Sequence, residues 1–280
     1  MHKRLVKVNE ALSQHQIVIK LVQQIRYEQP FIGTEKLYGL IKQDLQTMNI
    51  NIGRCKLNSI LKQYGMLVRK RKKSVITTNS RHRFRKYPNL VKDIEITQAE
   101  QVWVADITYI KTSEGFIYLH LITDAYSKQI LGFELSDNLR VESTIKALKM
   151  ALNQRKYPNR KLTHHSDRGF QYCSNEYIQM LMDNHIEISM TQNSDPYENA
   201  IAERVNGILK YEFSIGEGFK NHASALSEVK KSVHIYNHRR PHRSCKMLTP
   251  AKAHLNGNYK LPSYSIKMKT KNELSLKINS

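Results

Sequence analysis

Apolar residues recur at helical spacing through the first quarter of the chain. From His15 to Arg26, Ile17, Val18, Leu21, Val22 and Ile25 gather on one side, and from Thr34 to Leu45 so do Leu37, Leu40 and Ile41. After residues 49–53 a shorter pattern carries Leu57, Ile60 and Leu61 on one face, leaves Arg54, Lys56 and Asn58 outside it, and stops at Gly65, a natural C-terminal cap. Three helices are expected, the last two as a helix-turn-helix. In that motif the second helix enters the DNA major groove, which makes Arg54, Lys56 and Asn58 the candidate contacts. A small helical bundle with a solvated polar face fits the same pattern almost as well.

From Gln101 the period changes to two. QVWVADITYI, GFIYLHLITDAY and KQILGFELS are β-branched and aromatic, and short turns join them into an antiparallel meander. A helix from Val141 to Arg155, a strand from Lys161 to His165, a helix from Asn175 to Asn184, a strand from Ile186 to Met190 and a helix from Asn199 to Phe213 follow. Three strands and then alternating helices and strands give an α/β layer with a mixed five-stranded sheet, the element order of a ribonuclease-H-like core.

Between the two patterns, residues 68–89 show no periodicity. Arg69, Lys70, Arg71, Lys72 and Lys73 are consecutive, and Arg81, Arg83, Arg85 and Lys86 follow. Such a segment extends by self-repulsion, and beside a DNA-reading module it also neutralises phosphates. The chain thus divides into a helical DNA-binding module at 1–67, a basic linker at 68–98, a catalytic core at 99–215, and a basic C-terminal helical region and tail at 216–280.

Charge sharpens that division. The formal net charge is +21. Residues 1–90 contribute +15, residues 91–212 contribute −4 and residues 213–280 contribute +10. Basic flanks around a mildly acidic middle suit a polyanion bound at the ends and worked on in the centre; a charge kept for solubility alone needs no such segregation. Neither a signal peptide nor an apolar run of membrane-spanning length is present, so a cytoplasmic, nucleoid-associated protein without membrane contact is expected. Cys55, Cys173 and Cys245 are odd in number and widely spaced, which argues against disulfides and a cysteine-built zinc site; buried, small apolar roles are expected for them.

Three acids stand in unusual settings. Asp106 interrupts an apolar strand, where an ionised carboxylate is costly without a cation or hydrogen bonds. Asp167 ends a strand, where α/β sheets place ligands. Glu203 lies opposite the stripe of Ile201, Val205, Ile208 and Leu209, on a polar face shared with Asn199, Asn206, Gly207 and Lys210. Spacing alone decides nothing: Asp106 with Glu142, Asp167 with Glu203, and Glu176 with Glu212 all stand 36 apart among only 24 acids. Glu142, Glu176 and Glu212 lack a comparable placement. Asp124, after a strand, reads as a turn cap rather than a fourth ligand. Of His164 and His165, on opposite strand faces, at most one approaches Asp167; Trp103 reads as core.

WVADITYI around Asp106, HHSDRGFQY around Asp167 and SMTQNSDPYENAIAERVNGILKYE around Glu203 resemble the transposases of insertion-sequence family three, relatives of retroviral integrases. Asp195, Glu198 and Arg204 depart from the residues commonest there. IGTEKLYGLIKQDLQ resembles the family's helix-turn-helix entry, and YNHRRPHRSCKMLTPAKAH its closing motif, through Tyr236, Asn237, Arg240, Pro241, His242, Thr249 and Pro250. The resemblance implies DNA cleavage and strand transfer with two magnesium ions, or manganese in their place. Asp106 would bridge both ions while Asp167 and Glu203 each complete one, and Lys210 would hold a DNA phosphate. It also implies transposon ends and target DNA as partners, a homo-oligomer on DNA, and fusion with an upstream reading frame. A nuclease of the same fold and an inactive DNA-binding regulator stay open as alternatives.

Overall fold

The computed structural model describes residues 2–68, 83–92, 94–192, 199–256 and 264–265, the side chains of 2–11 and 264–265 excepted. Arg69, Lys70, Arg71, Lys72 and Lys73, with Arg81, Asp195 and Glu198, lie outside the described residues. The N-terminal region is helical: α1 (His2–Glu28), α2 (Thr34–Thr47) and α3 (Arg54–Gln63). Val18 and Val22 of α1, Leu37, Ile41 and Leu45 of α2, and Leu57, Ile60 and Leu61 of α3 form one buried cluster with Ile32 and Ile50. The helix expected from His15 begins at His2 instead. No Gly or Pro interrupts the chain before Pro30, so helix propensity carries the extra turns without an apolar stripe.

β1 (Glu95–Ile96) precedes the meander of β2 (Val102–Thr112), β3 (Gly115–Asp124) and β4 (Ile130–Ser136). Next come α4 (Val141–Asn153), β5 (Thr163–Ser166), the single turn α5 (Phe170–Cys173), α6 (Asn175–Asp183), β6 (Glu187–Met190) and α7 (Ala200–Glu212). The C-terminal region adds α8 (His222–His238), α9 (Pro250–Leu255) and β7 (Tyr264–Ser265), which pairs antiparallel with β1. The main sheet has the order β4-β3-β2-β5-β6, antiparallel across β4, β3 and β2 and parallel across β2, β5 and β6. It is the mixed five-stranded sheet expected from the sequence.

Each face of the sheet has its own cover. On one, Trp103, Ala105 and Ile122 pack with Ala147 and Leu148 of α4 and with Tyr177 and Leu181 of α6. Gly132 permits this approach: a Cβ there would stand 2.0 Å from the Ala147 carbonyl oxygen. On the other, Ile110, Leu119 and Leu121 meet Val205, Ile208 and Leu209 of α7 and Val229 and Val233 of α8. Burial of these stripes supplies most of what fixes α7 over the sheet, at roughly 1.5–3 kcal/mol per large apolar side chain. Cys173 and Cys245 are buried as expected, but Cys55 is exposed, because it shares the polar side of α3 with Arg54 and Lys56. Among the described residues no helix is long and apolar enough to cross a membrane.

Candidate active site

The parallel register of β2 and β5 brings two of the three acids together. Val104 pairs with His165; Asp106 follows two residues later on β2, and Asp167 stands two residues after His165, just past the end of β5 and close enough for its charge to act on Asp106. Both are half-buried. Asp167 lies one residue beyond β5, where its Oδ1 accepts the Gly169 N–H at 2.9 Å. A Cβ at position 169 would stand 2.9 Å from that same oxygen, so glycine keeps the turn open.

α7 crosses the face of the sheet that carries Asp106. Asn199, its N-cap, donates to the Ala105 carbonyl at 3.0 Å, and Asn206 Nδ2 donates to Asp106 Oδ2 at 2.7 Å. Glu203, one turn before Asn206, is exposed and close enough for its charge to act on Asp106. Burial, then the charge of Asp167, and less strongly that of Glu203, outweigh hydrogen bonds from Asn206 and the Ile107 N–H and push the Asp106 carboxyl up to about 7. Lys210, two turns from Glu203, is held below the usual lysine range by burial, against the opposing pull of Asp106. Asp106, Asp167, Glu203 and Lys210 therefore belong to one locality, and its acids repel one another. Among the described residues no group of three or more His, Cys, Asp or Glu side chains is drawn close enough to hold a metal ion.

Other sequence candidates fall elsewhere. Arg54, Lys56 and Asn58 are exposed on α3, and Asn58 Oδ1 accepts from Thr34 Oγ1 of α2 at 3.3 Å. Glu142 and Glu176 are exposed in the first turns of α4 and α6, where a negative charge complements the helix dipole. Asp124 caps a turn: its Oδ1 accepts the N–H and Oγ–H of Ser127, both at 2.7 Å, and its Oδ2 accepts the Glu100 N–H at 2.7 Å. His165 is buried with Nδ1 2.8 Å from Ser189 Oγ. His164, on the other face, lies 2.9 Å from the Tyr177 hydroxyl, and burial pushes its imidazole down to about 3.

Two findings go beyond the sequence reading. Asn206 was legible only as a member of Glu203's polar face, and its hydrogen bond makes it the residue that joins α7 to Asp106. Glu212 showed no special setting in sequence, yet it carries two cations: Lys36 Nζ at 2.9 Å, and Arg240 through Nε at 2.8 Å and Nη2 at 2.9 Å. Burial raises its pKa, but Arg240 and Lys36 outweigh that and hold it below the usual glutamate value.

The integrase core domain model matches residues 96–196, and a second integrase core domain model matches residues 184–250. An uncharacterized 31 kDa protein of insertion element IS600 from Shigella sonnei is 35% identical over 224 residues, 79% of this chain and 82% of the relative. The transposase for insertion sequence element IS629, also from Shigella sonnei, is 32% identical over 73% of this chain and 69% of its own length. Transposase InsF for insertion sequence IS3A of Escherichia coli (strain K12) is 35% identical over 58% of this chain and 56% of its own length. Among solved structures, a simian T-cell lymphotropic virus intasome in complex with PP2A regulatory subunit B56 gamma matches with a TM-score of 0.50 at 19% identity, covering 85% of this chain and 81% of that one. That likeness shares the fold, a ribonuclease-H-like core behind a helical N-terminal region. With two of these relatives above 30% identity and covered over more than two thirds of their length, the chain belongs to the insertion-sequence-three family of transposases, enzymes of the polynucleotidyl-transferase type.

Proposed function

We propose that this transposase cleaves DNA at the ends of its element and joins the freed 3′-hydroxyls to a target, using divalent cations held by Asp106, Asp167 and Glu203. The observation that supports this reading is that Asp106 of β2 feels the charges of both Asp167, just past the end of the neighbouring parallel strand, and Glu203 of α7, whose Asn206 bonds to it. Burial and like charge make that arrangement costly, as the raised Asp106 value records, and a bound cation offsets both. The donor set is all carboxylate oxygen, which fits a hard cation, magnesium or manganese. Such ions stabilise charge on the attacking and leaving oxygens of an in-line phosphodiester displacement.

The remaining work falls to the chain. Asn206 keeps one Asp106 oxygen oriented, Gly169 keeps an Asp167 oxygen in its turn, and Lys210 holds a DNA phosphate beside the acids. Water and then a DNA 3′-hydroxyl serve as nucleophiles, so no covalent protein intermediate and no ATP are needed.

In this reading residues 1–67 form the DNA-reading module, with α2 and α3 as its helix-turn-helix and Arg54, Lys56 and Asn58 toward the groove. Residues 68–98, with Arg69–Lys73, track the backbone; 99–215 form the catalytic core, and 216–280 the basic C-terminal region. A homo-oligomer assembles on transposon ends in the cytoplasm, with or without fusion to an upstream reading-frame product. The test is to incubate the purified chain with duplexes carrying the sequences that flank its gene, in magnesium and in EDTA. Magnesium-dependent joined products are expected. Cleavage without joining would make the protein a nuclease, and neither in any metal would leave a DNA-binding regulator.

A further inference from the structure

α7 ends in an unusual way. A glutamate at a helix C-terminus faces the negative end of the helix dipole, where a cation is preferred. Glu212 is that residue. Two cations reverse the local charge: Arg240, 1% exposed, grips both carboxylate oxygens, and Lys36 of α2 adds a bond to Oε1 at 2.9 Å. The Glu212 carbonyl, one of the last four that a helix leaves unpaired, accepts the Phe31 N–H at 3.1 Å from the turn between α1 and α2. Neighbouring contacts run the same way: Arg239 pairs with Glu28, and Met247 Cε lies where a side chain at Gly39 would reach it. The N-terminal helices and the chain after α8 thus converge on the last residue of the helix that carries Glu203.

We propose that Glu212 is a positioning residue, the joint through which docking of the N-terminal helices by Lys36 and Phe31 sets the placement of α7, and with it Glu203. The inference rests on the reading of α7 as the catalytic helix. Nine helical steps, roughly 13.5 Å, take the helix from Glu203 to Glu212. A shift at one end therefore reaches the other, while Asn199 before Glu203 and Asn206 after it tie the helix to β2. Detaching the DNA-reading helices would then cost turnover rather than DNA affinity, a coupling that neither module supplies alone.

Removing Arg240 or Glu212 strands a buried charge and endangers the fold, so Lys36 is the informative position. In the full chain, with magnesium and duplexes carrying the flanking sequences, Lys36→Met should lower strand-transfer kcat about tenfold, with half-saturating DNA changed by less than about twofold. Lys36→Arg, which reaches the same carboxylate, should recover most of the loss. Unchanged kcat in Lys36→Met, a loss lying wholly in DNA affinity, or no recovery in Lys36→Arg would each overturn the joint. Glu203→Gln separates the two readings: if it is active, the assignment of α7 as the catalytic helix falls. If it is inactive while Lys36→Met turns over normally, the joint alone falls.

Discussion

Asp124 at the end of β3 and Asp106 in neighbouring β2 are aspartates of one sheet, each with other acids nearby. Around Asp124 the charge is settled internally. His254 stands between it and Glu100, with Nε2 3.2 Å from Glu100 Oε1 and Nδ1 3.7 Å from Asp124 Oδ1. Glu100 also accepts the N–H groups of Lys156 at 2.7 Å and Tyr157 at 3.0 Å. Burial disfavours both carboxylates, but His254 and these donors outweigh it and hold both below their ordinary values. Around Asp106 hydrogen bonds from Asn206 and the Ile107 N–H lower its pKa, but burial and the charges of Asp167 and Glu203 outweigh them and its carboxyl rises to about 7. The fold neutralises one buried acid group from within and leaves the other with its repulsion, which on the proposed reading a bound cation offsets. That contrast, more than the presence of acids, is what sets Asp106 apart from Asp124.

Exchanging the amide for the acid in each group should give opposite results. Asp106→Asn should abolish strand transfer, by at least about 10³-fold, since the interaction lost is worth several kcal/mol. Measured in EDTA, the same variant should melt higher than wild type, because repulsion has been removed. Asp124→Asn should instead destabilise the protein by about 3–5 kcal/mol, as expected when one member of a buried ionic group is neutralised. If Asp106→Asn retained transfer, or melted lower by as much as Asp124→Asn, the contrast would vanish.

The internal cation can be titrated. Burial alone would lower the His254 pKa, but Asp124 and Glu100 outweigh it and push it up to about 9. A raised histidine contributes stability that is complete below its unfolded value and fades as pH climbs through its folded one. Stability from His254 should therefore be full below about pH 6.5 and decline through pH 9, a change on the order of 3 kcal/mol. Thermal melts of wild type and His254→Asn across that range are the measurement, and parallel curves would refute the assignment.

Smaller effects are expected at single proposed DNA contacts. Lys210→Ala should reduce strand transfer by about tenfold and overall DNA binding by less than about twofold, since one contact is a small part of a multi-contact affinity. Equal losses in both assays would remove Lys210 from the site. Arg54→Ala on α3 should reduce the slope of log affinity against log salt by about 1 while leaving turnover on saturating DNA intact. Fluorescence anisotropy at several salt concentrations reads the slope, and an unchanged one would take Arg54 off the DNA.

Whatever is encoded locally was legible in the sequence. The period-two runs of β2, β3 and β4 and the stripes of α2, α3 and α7 appear where their patterns put them, because each buries one face against a single neighbouring layer. Asp106, Asp167 and Glu203 could be singled out from strand interior, strand end and polar face, with the family motifs choosing among equally spaced pairs. What escaped was the start of α1, which has no apolar stripe, together with features that are long-range or too short to show a period. His254 meets Glu100 across 154 positions and Lys36 meets Glu212 across 176, and no local pattern announces either. The single turn of α5 and the two-residue β1 and β7 offer too few residues for periodicity to register. Cys55 went astray by a different route, since small size suggested burial and its helical position put it outside.

The order in which the acids arrive along the chain also sets a schedule for synthesis. β2, β3 and β4 pair through short turns, so Asp106 can be in place soon after Ser136 emerges from the ribosome. Asp167 must wait for the crossover through α4, Glu203 for α7, and the Arg240 that grips the end of α7 for nearly forty residues more. On the proposed reading, a growing or prematurely terminated chain would therefore offer its basic N-terminal helices to nearby DNA long before it owns a complete cutting centre. Truncated products would occupy DNA without breaking it, making the length of the finished polypeptide a safeguard for the genome that encodes it.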